Sequence, residues 1–381
     1  MITENTIAPP EISPVSVGRN TAPPSVPSLA SAAPSADAVS GWINPSDDPD
    51  WDARVQSHPH YSFFHGAAWA RVLQATYGFT PLYLTHRASG GILSLLPLME
   101  VRSWLTGRRG VGLPFTDDSE PLCSDGNSLK ELFLRAVEQG KKRGWKSVEC
   151  RGGRELLENA TASLAFYGHR VDLEPDEDRL FARLDSSVRR AVRKAEKSGV
   201  TTEVSRSAEA LKTFYRLQCR TRKKHGLPPQ PFAFFQNIYQ HILARNLGVI
   251  ITASHQDRPI AASVYFQLGP RAIYKFGASD ENFQQFRGTN LVMWEAFKWH
   301  ARHNARTLHL GRSSIWNDGL RRSKLGWGAH EERIEYFKYD LRQERFVTDR
   351  DVSSGWHTRV FRRMPVGLSR LLGAVLYRHW A

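Results

Sequence analysis

The chain has 381 residues, 41% of them hydrophobic and 11% aromatic, enough to bury the cores of about two domains. Its 52 Lys and Arg against 38 Asp and Glu leave a net charge of +14. That excess points to an anionic partner (a phosphorylated co-substrate, a nucleic acid or a headgroup surface), with a generally basic protein as the plain alternative. Three well-separated cysteines, Cys123, Cys150 and Cys219, argue against a disulfide framework or a thiolate zinc site. No run approaches the ~20 apolar residues of a membrane span, and the start lacks the pattern of a secretory signal, so the cytoplasm is the expected compartment.

Residues 1–41 are dominated by Pro, Ser and Ala and read as disordered, because they offer little surface to bury. Hydrophobic periodicity then predicts a helix over Ala67–Tyr77, strands over Leu82–Arg87, Gly91–Val101 and Arg108–Leu113, and a helix over Ser128–Arg143. Strand Ser147–Arg151, a short helix from Arg154 and strand Gly168–Leu173 follow. The second half opens with helix Val188–Ser198, with Gly199 in the C-terminal capping position. Helices Ala208–Lys224 and Phe232–Asn246 come next, then strands Gly248–Ser254, Pro259–Leu268 and Arg271–Gly277. Helix Thr289–Asn304, strand Thr307–Leu310, a short helix at Gly319–Leu325 and strand Arg333–Leu341 complete it. The same order is read twice, which predicts an α/β fold with mixed sheet in two tandem domains, 42–176 and 177–345, and a ligand cleft between them. The tail 346–381 reads as a helix opening at Pro365, with Leu368, Leu371, Leu372, Val375 and Leu376 on one face. It docks on the body or lies on a membrane surface.

Four stretches can carry chemistry. Phe286-Arg287-Gly288-Thr289-Asn290 stands at the head of a helix, where unpaired N–H groups and the dipole favour phosphate. Gly288 would let a ligand approach and Arg287 would add a charge; the plain alternative is an ordinary cap at Gly288 or Thr289. Asp280 lies just upstream of this loop. In the second stretch, His309 and Arg312 sit at the end of a strand and Lys324 on the short helix beyond, placed to hold an anionic donor or a developing oxyanion. Alternation also allows His309 to be a satisfied polar side chain, and Lys324 a surface lysine. The third is the basic helix 189–197, a phosphate track or a solvated face. The fourth, Thr221–Pro231 (TRKKHGLPPQP), is explained by helix-end physics: cations in the last turn, Gly226 as cap, then prolines. No metal-ligand spacing is evident, and none is expected.

Together RRAVRKAEKSGV (189–200), TRKKHGLPPQP (221–231), YKFGASD (274–280), TNLVMWEAF (289–297), HLGRSS (309–314) and GLRRSKLGWGA (319–329) resemble the FemAB-type, GNAT-fold transferase family, over roughly 185–340. HGLPPQP is similar to the subgroup found with exopolysaccharide and PEP-CTERM protein-sorting systems. The resemblance implies two tandem GNAT-like domains and transfer of an acyl or aminoacyl group to an amine. Ser323-Lys324 stands where the family has Phe-Lys, so the lysine is kept and the aromatic is not. His309-Leu310-Gly311-Arg312 stands where it has Asp-Leu-Gly-Gly, and the helical hairpin some members carry for tRNA is not evident.

The resulting expectation is an acyl- or aminoacyl-transferase acting on an amine of an envelope or exopolysaccharide precursor, with no bound cofactor and with acyl-CoA or aminoacyl-tRNA as co-substrate. Lys324 is the expected catalytic group, Arg287, Gly288, Thr289, Asn290 and Arg312 the donor site, and His309 and Asp280 further candidates. Contact with the inner membrane face through the tail helix is a further expectation. The rival readings are a non-catalytic scaffold of an exopolysaccharide or sorting system, and a nucleic-acid binder acting through 189–197.

Overall fold

The structure, a computed structural model, describes residues 39–88, 91–123, 126–153, 157, 160–348 and 356–380. Most of the segment read as disordered, and the helix expected from Arg154, lie outside the described residues; Val39–Gly41 open the first strand. In chain order the first half holds β1 (Val39–Ile43), α1 (Trp51–Gln56), α2 (Ala67–Tyr77), β2 (Thr80–Ala88), β3 (Gly91–Ser103), β4 (Gly107–Gly112), β5 (Leu122–Cys123), α3 (Gly126–Arg143), β6 (Ser147–Arg151) and β7 (Leu164–Asp172). The second holds α4 (Glu177–Arg183), α5 (Ser186–Lys197), β8 (Val200–Ser205), α6 (Ala208–Lys224), α7 (Phe232–His241), β9 (Gly248–His255), β10 (Arg258–Leu268) and β11 (Arg271–Ser279). It continues with α8 (Gly288–Arg302), β12 (Thr307–His309), β13 (Ser313–Ser314), α9 (Asp318–Leu325), β14 (His330–Asp340) and β15 (Arg345–Val347). The tail forms α10 (Trp356–Arg363) and α11 (Val366–Leu376).

One sheet runs through the molecule in the order β1-β2-β3-β4-β6-β14-β7-β12-β11-β10-β9-β8, with β5, β13 and β15 attached to β3, β7 and β14. The last strand of each half crosses into the other: β14 pairs with β6 at Tyr336–Asp340, and β7 pairs with β12 at Arg170–Asp172. The halves also share a core. Trp69 of α2 packs edge-on to Phe234 of α7, and Asn237 donates to the Thr76 hydroxyl at 2.9 Å. Packed side chains and continuous sheet thus join the halves, and what remains of the expected cleft is a cavity that Phe115, Thr116 and Asp117 of the first half and β11 of the second both line.

Local chemistry sets the helix ends. Asp185 accepts the Ser187 N–H, Ser207 the Ala210 N–H and Asn317 the Leu320 N–H, starting α5, α6 and α9. Val188, Val192 and Ala195 bury one stripe of α5, leaving Arg190, Arg193, Lys194 and Lys197 exposed. The tail docks on α6, but by an unexpected face: Ser369, Gly373 and Tyr377 are buried, whereas Leu368, Leu371 and Val375 point outward.

Two parallel strand pairs break the antiparallel pattern, each joined by a crossover helix. In the first half β4 and β6 pair only at Gly110–Val111 with Val148–Glu149, and Arg151 then spans the gap by donating to the Leu113 carbonyl at 3.1 Å. In the second half β11 and β12 pair from Arg271–Ile273 with Thr307–His309 and then part, while β13 stays with β7, which already pairs with β12.

Candidate active site

Where β11 and β12 part, a cavity of roughly 250 Å³ opens. One lip is Tyr274–Gly277 and the other Leu310–Arg312; Asp117 enters from the first half, Lys324 from α9 and Tyr377 from the tail. A bulge in β11 serves the opening. Val264 of β10 faces Phe276 while Tyr265 faces Tyr274, so Lys275 is the extra residue and is re-aimed.

Lys324 is placed by the turn before it. Arg321 donates from Nε and Nη2 to Glu331 of β14 at 3.1 and 2.8 Å and lies 4.0 Å over the Tyr167 ring. Glu331 in turn holds His169 Nε2 at 3.0 Å. The bidentate hydrogen bond from Arg321 holds the Glu331 carboxyl below its usual range, although its burial acts the other way. With Arg321 fixed to β14, Lys324 one turn later points into the sheet: it is 3% exposed, and its Nζ donates to the Gly311 and Arg312 carbonyls at 2.8 and 3.0 Å.

The opposite wall carries a second lysine. Lys275 Nζ donates to the Phe115 carbonyl and to Asp117 Oδ2, both at 2.6 Å, and sits 5.2 to 5.6 Å from the rings of Phe64, Phe276 and Trp69. Burial opposes ionisation of Asp117, but the charges of Lys275 and Arg312 outweigh it and hold the carboxyl below its usual range. Asp118 beside it differs: burial and the charge of Glu332 push its carboxyl up to about 7, and it is not part of the cavity lining. The loop bearing both acids is strained, with Leu113 and Phe115 at φ 28° and 60°. Arg312 bonds the Tyr336 hydroxyl and stacks 4.4 Å over Phe166.

The residues expected to act together fall into three places. Lys324 and Arg312 line the cavity. Arg287 and Asn290 line a separate depression with Arg183 and Arg322, on the other side of α9. All four residues of that loop, Arg287, Gly288, Thr289 and Asn290, border a small hollow next to Asp280. The helix cap there is Arg287 itself, at φ 57° and without a side-chain cap bond, rather than Gly288 or Thr289. A Cβ at Gly288 would lie 2.9 Å from the end of the Ile260 side chain of β10, which could shift to make room. Asp280 is buried in ion pairs with Arg220 at 2.5 Å and Arg258 at 3.2 Å. His309 faces away from Leu308 and Leu310, accepts the Gly311 N–H on Nδ1 at 3.0 Å, and is held neutral by burial, its pKa down to about 3.

Sequence reasoning missed Lys275, Asp117 and Tyr377, and treated 221–231 as helix-end chemistry alone. In the structure Thr221, Arg222, His225 and Gln230 reach the cavity wall. The unusual density of that motif was the available signal.

Residues 182–324 match the acetyltransferase (GNAT) domain family. The gap and Lys324 lie within this GNAT domain; Asp117 and Tyr377 come from outside it. No curated protein sequence matches the chain. Among solved structures it is similar to FemX, at TM-score 0.63 and 16% identity over 78% of this chain and 96% of that one. L-PGS from Bacillus licheniformis gives TM-score 0.51 and 11% identity over 87% and 97%. A tandem GNAT protein from the clavulanic acid biosynthesis pathway gives 0.50 and 11% over 80% and 99%. The fold is thus the tandem GNAT-like one, in which the two halves exchange their last strands.

Proposed function

We propose that the chain is an acyltransferase whose reaction takes place in the gap between β11 and β12, with an acyl-CoA as donor and an amine of an envelope or exopolysaccharide precursor as acceptor. The observation that carries this reading is the position of α9. It presents Arg322 to the outer depression with Arg287 and Arg183, and Lys324 to the cavity. A donor's phosphates would rest on the first set, beside the positive end of the α8 dipole, and its thioester would reach the second.

In the transfer, the acceptor nitrogen attacks the thioester carbonyl carbon, the C=O electrons move to oxygen, and collapse expels the thiolate, which takes up the proton lost by the nitrogen. The Lys324 ammonium would face the oxyanion, in a site where burial strengthens its charge. Asp117 is too acidic to serve as a base near neutrality, so its role would be to attract the acceptor's ammonium form, which gives its first proton to water before the neutral amine attacks.

Calorimetry with acetyl-CoA and longer acyl-CoA tests the donor, with Arg322→Ala expected to weaken binding about tenfold. A specific observation favours a second donor: Arg190, Arg193, Lys194 and Lys197 lie exposed on α5, whose Val188 and Ala191 line the same depression. Binding of charged tRNA, falling steeply with salt, and no binding of acyl-CoA would replace the first donor by aminoacyl-tRNA. Binding of neither would leave the scaffold reading in place.

A further inference from the structure

The β3–β4 hairpin ends in Ser103-Trp104-Leu105-Thr106. The Ser103 hydroxyl accepts the N–H groups of Leu105 and Thr106 at 3.1 and 2.9 Å, which fixes the turn. The fixed turn pushes its two large apolar side chains into solvent, Trp104 at 82% exposure and Leu105 at 56%. The end of the chain lies beside this tip. His379 is buried, bonds the Ser103 hydroxyl at 2.8 Å, and meets the Trp104 ring edge-on at 5.3 Å.

α11 runs from this contact with its apolar face reversed. Its packed face is the small stripe Ser369 and Gly373 with Tyr377, and Gly373 lies so close to the Pro229 carbonyl that a Cβ would come within 2.1 Å of it. Leu368, Leu371 and Val375 are turned outward, with Trp380 exposed beyond them. A helix docked only to bury its apolar side would be turned the other way. Residues 102–109 and 356–380, which form these two elements, contain eight arginines and no carboxylate.

We infer that the hairpin tip and α11 form one docking surface for an anionic phospholipid bilayer. Trp104, Leu105, Leu371, Val375 and Trp380 would enter the interfacial region, and the arginines would meet the headgroups. The charge argues against a second copy of the chain as occupant, since two such surfaces face to face would repel. Tyr377 lies on the inner side of the same helix and lines the cavity, so a docked protein would hold that cavity close to the lipid surface. The inference goes beyond the transfer reaction, and vesicle binding reads it without turnover.

The test is sedimentation of the full chain with phosphatidylcholine vesicles, with and without phosphatidylglycerol, together with tryptophan emission. The expected result is binding that needs phosphatidylglycerol, weakens with salt and shifts the emission to the blue. The double variants Trp104→Ser/Leu105→Ser and Leu371→Ser/Val375→Ser, all at exposed positions, should each bind about tenfold less while melting like the parent. Failure to bind phosphatidylglycerol vesicles, or binding by both variants as tight as the parent's, overturns the inference. So does a dimer, seen by sedimentation velocity without lipid, that both variants abolish.

Discussion

Four of the buried histidines, those with the lowest pKa values, make the fold sensitive to mild acid. His65 and His169 have pKa values lowered to about 4, and His300 and His309 to about 3, in each case first by burial. Their hydrogen bonds suit the neutral ring: His65 accepts the Ser62 N–H at 2.9 Å and its other nitrogen faces the Glu120 carbonyl at 2.8 Å. In the unfolded chain each would titrate near 6.5, so between about pH 6.5 and 4 the unfolded state holds more protons and stability falls as pH falls. From about pH 7.5 to 5.5 each histidine should cost about 1.3 kcal/mol, or about 5 kcal/mol for the four. Asp118 works the other way. Its folded pKa of about 7 exceeds the unfolded value near 3.8, so acidification over the same interval returns about 2 kcal/mol. The expected net loss, about 3 kcal/mol, is a large part of a typical domain's stability. Urea unfolding followed by circular dichroism at each pH measures it. His309→Asn, whose amide oxygen can accept the Gly311 N–H, should reduce the loss by about 1.3 kcal/mol. A flat profile, or an unchanged slope in His309→Asn, would refute the reasoning.

Three more outcomes follow from single contacts. Asp118→Asn should raise stability at about pH 8 by about 2–4 kcal/mol and leave it nearly unchanged at about pH 4, read by the same titration. Gly373→Ala should free the tail to proteolysis and lower stability by about 1–3 kcal/mol, while Gly367→Ala on the open side of α11 should be neutral or slightly stabilising. Lys275→Met should leave Asp117 without its closest cation, raise its pKa and cost about 3 kcal/mol; adding Asp117→Asn should restore much of the loss in thermal melts.

Much of the architecture was legible because local signals agreed. Ala67–Tyr77 and Ala208–Lys224 combine a periodic stripe with capping residues, and both form helices at those bounds. The elements overlooked, α1, α4 and β8 among them, span only six or seven residues, a length at which the pattern alone is ambiguous. Strand exchange was not legible, since the alternation in β7 and β14 says which side is buried but not which strand lies alongside. The site followed the same rule. Arg312 and Lys324 could be inferred from their place just beyond a strand end. Lys275 was hidden by the bulge, which breaks the alternation that would have aimed it. Asp117 and Tyr377 lie far from β11 in sequence and arrive only through the fold. A glycine such as Gly288 announces a close approach without saying of what.

The central claim, that the split between β11 and β12 is the place of acyl transfer, is tested most directly by turnover in Lys324→Gln. That variant keeps a donor for the Gly311 and Arg312 carbonyls, so the fold and donor affinity should persist, as checked by melting and calorimetry. The account predicts a kcat lowered about a hundredfold or more. A variant that binds donor and turns over at the parent rate would contradict it.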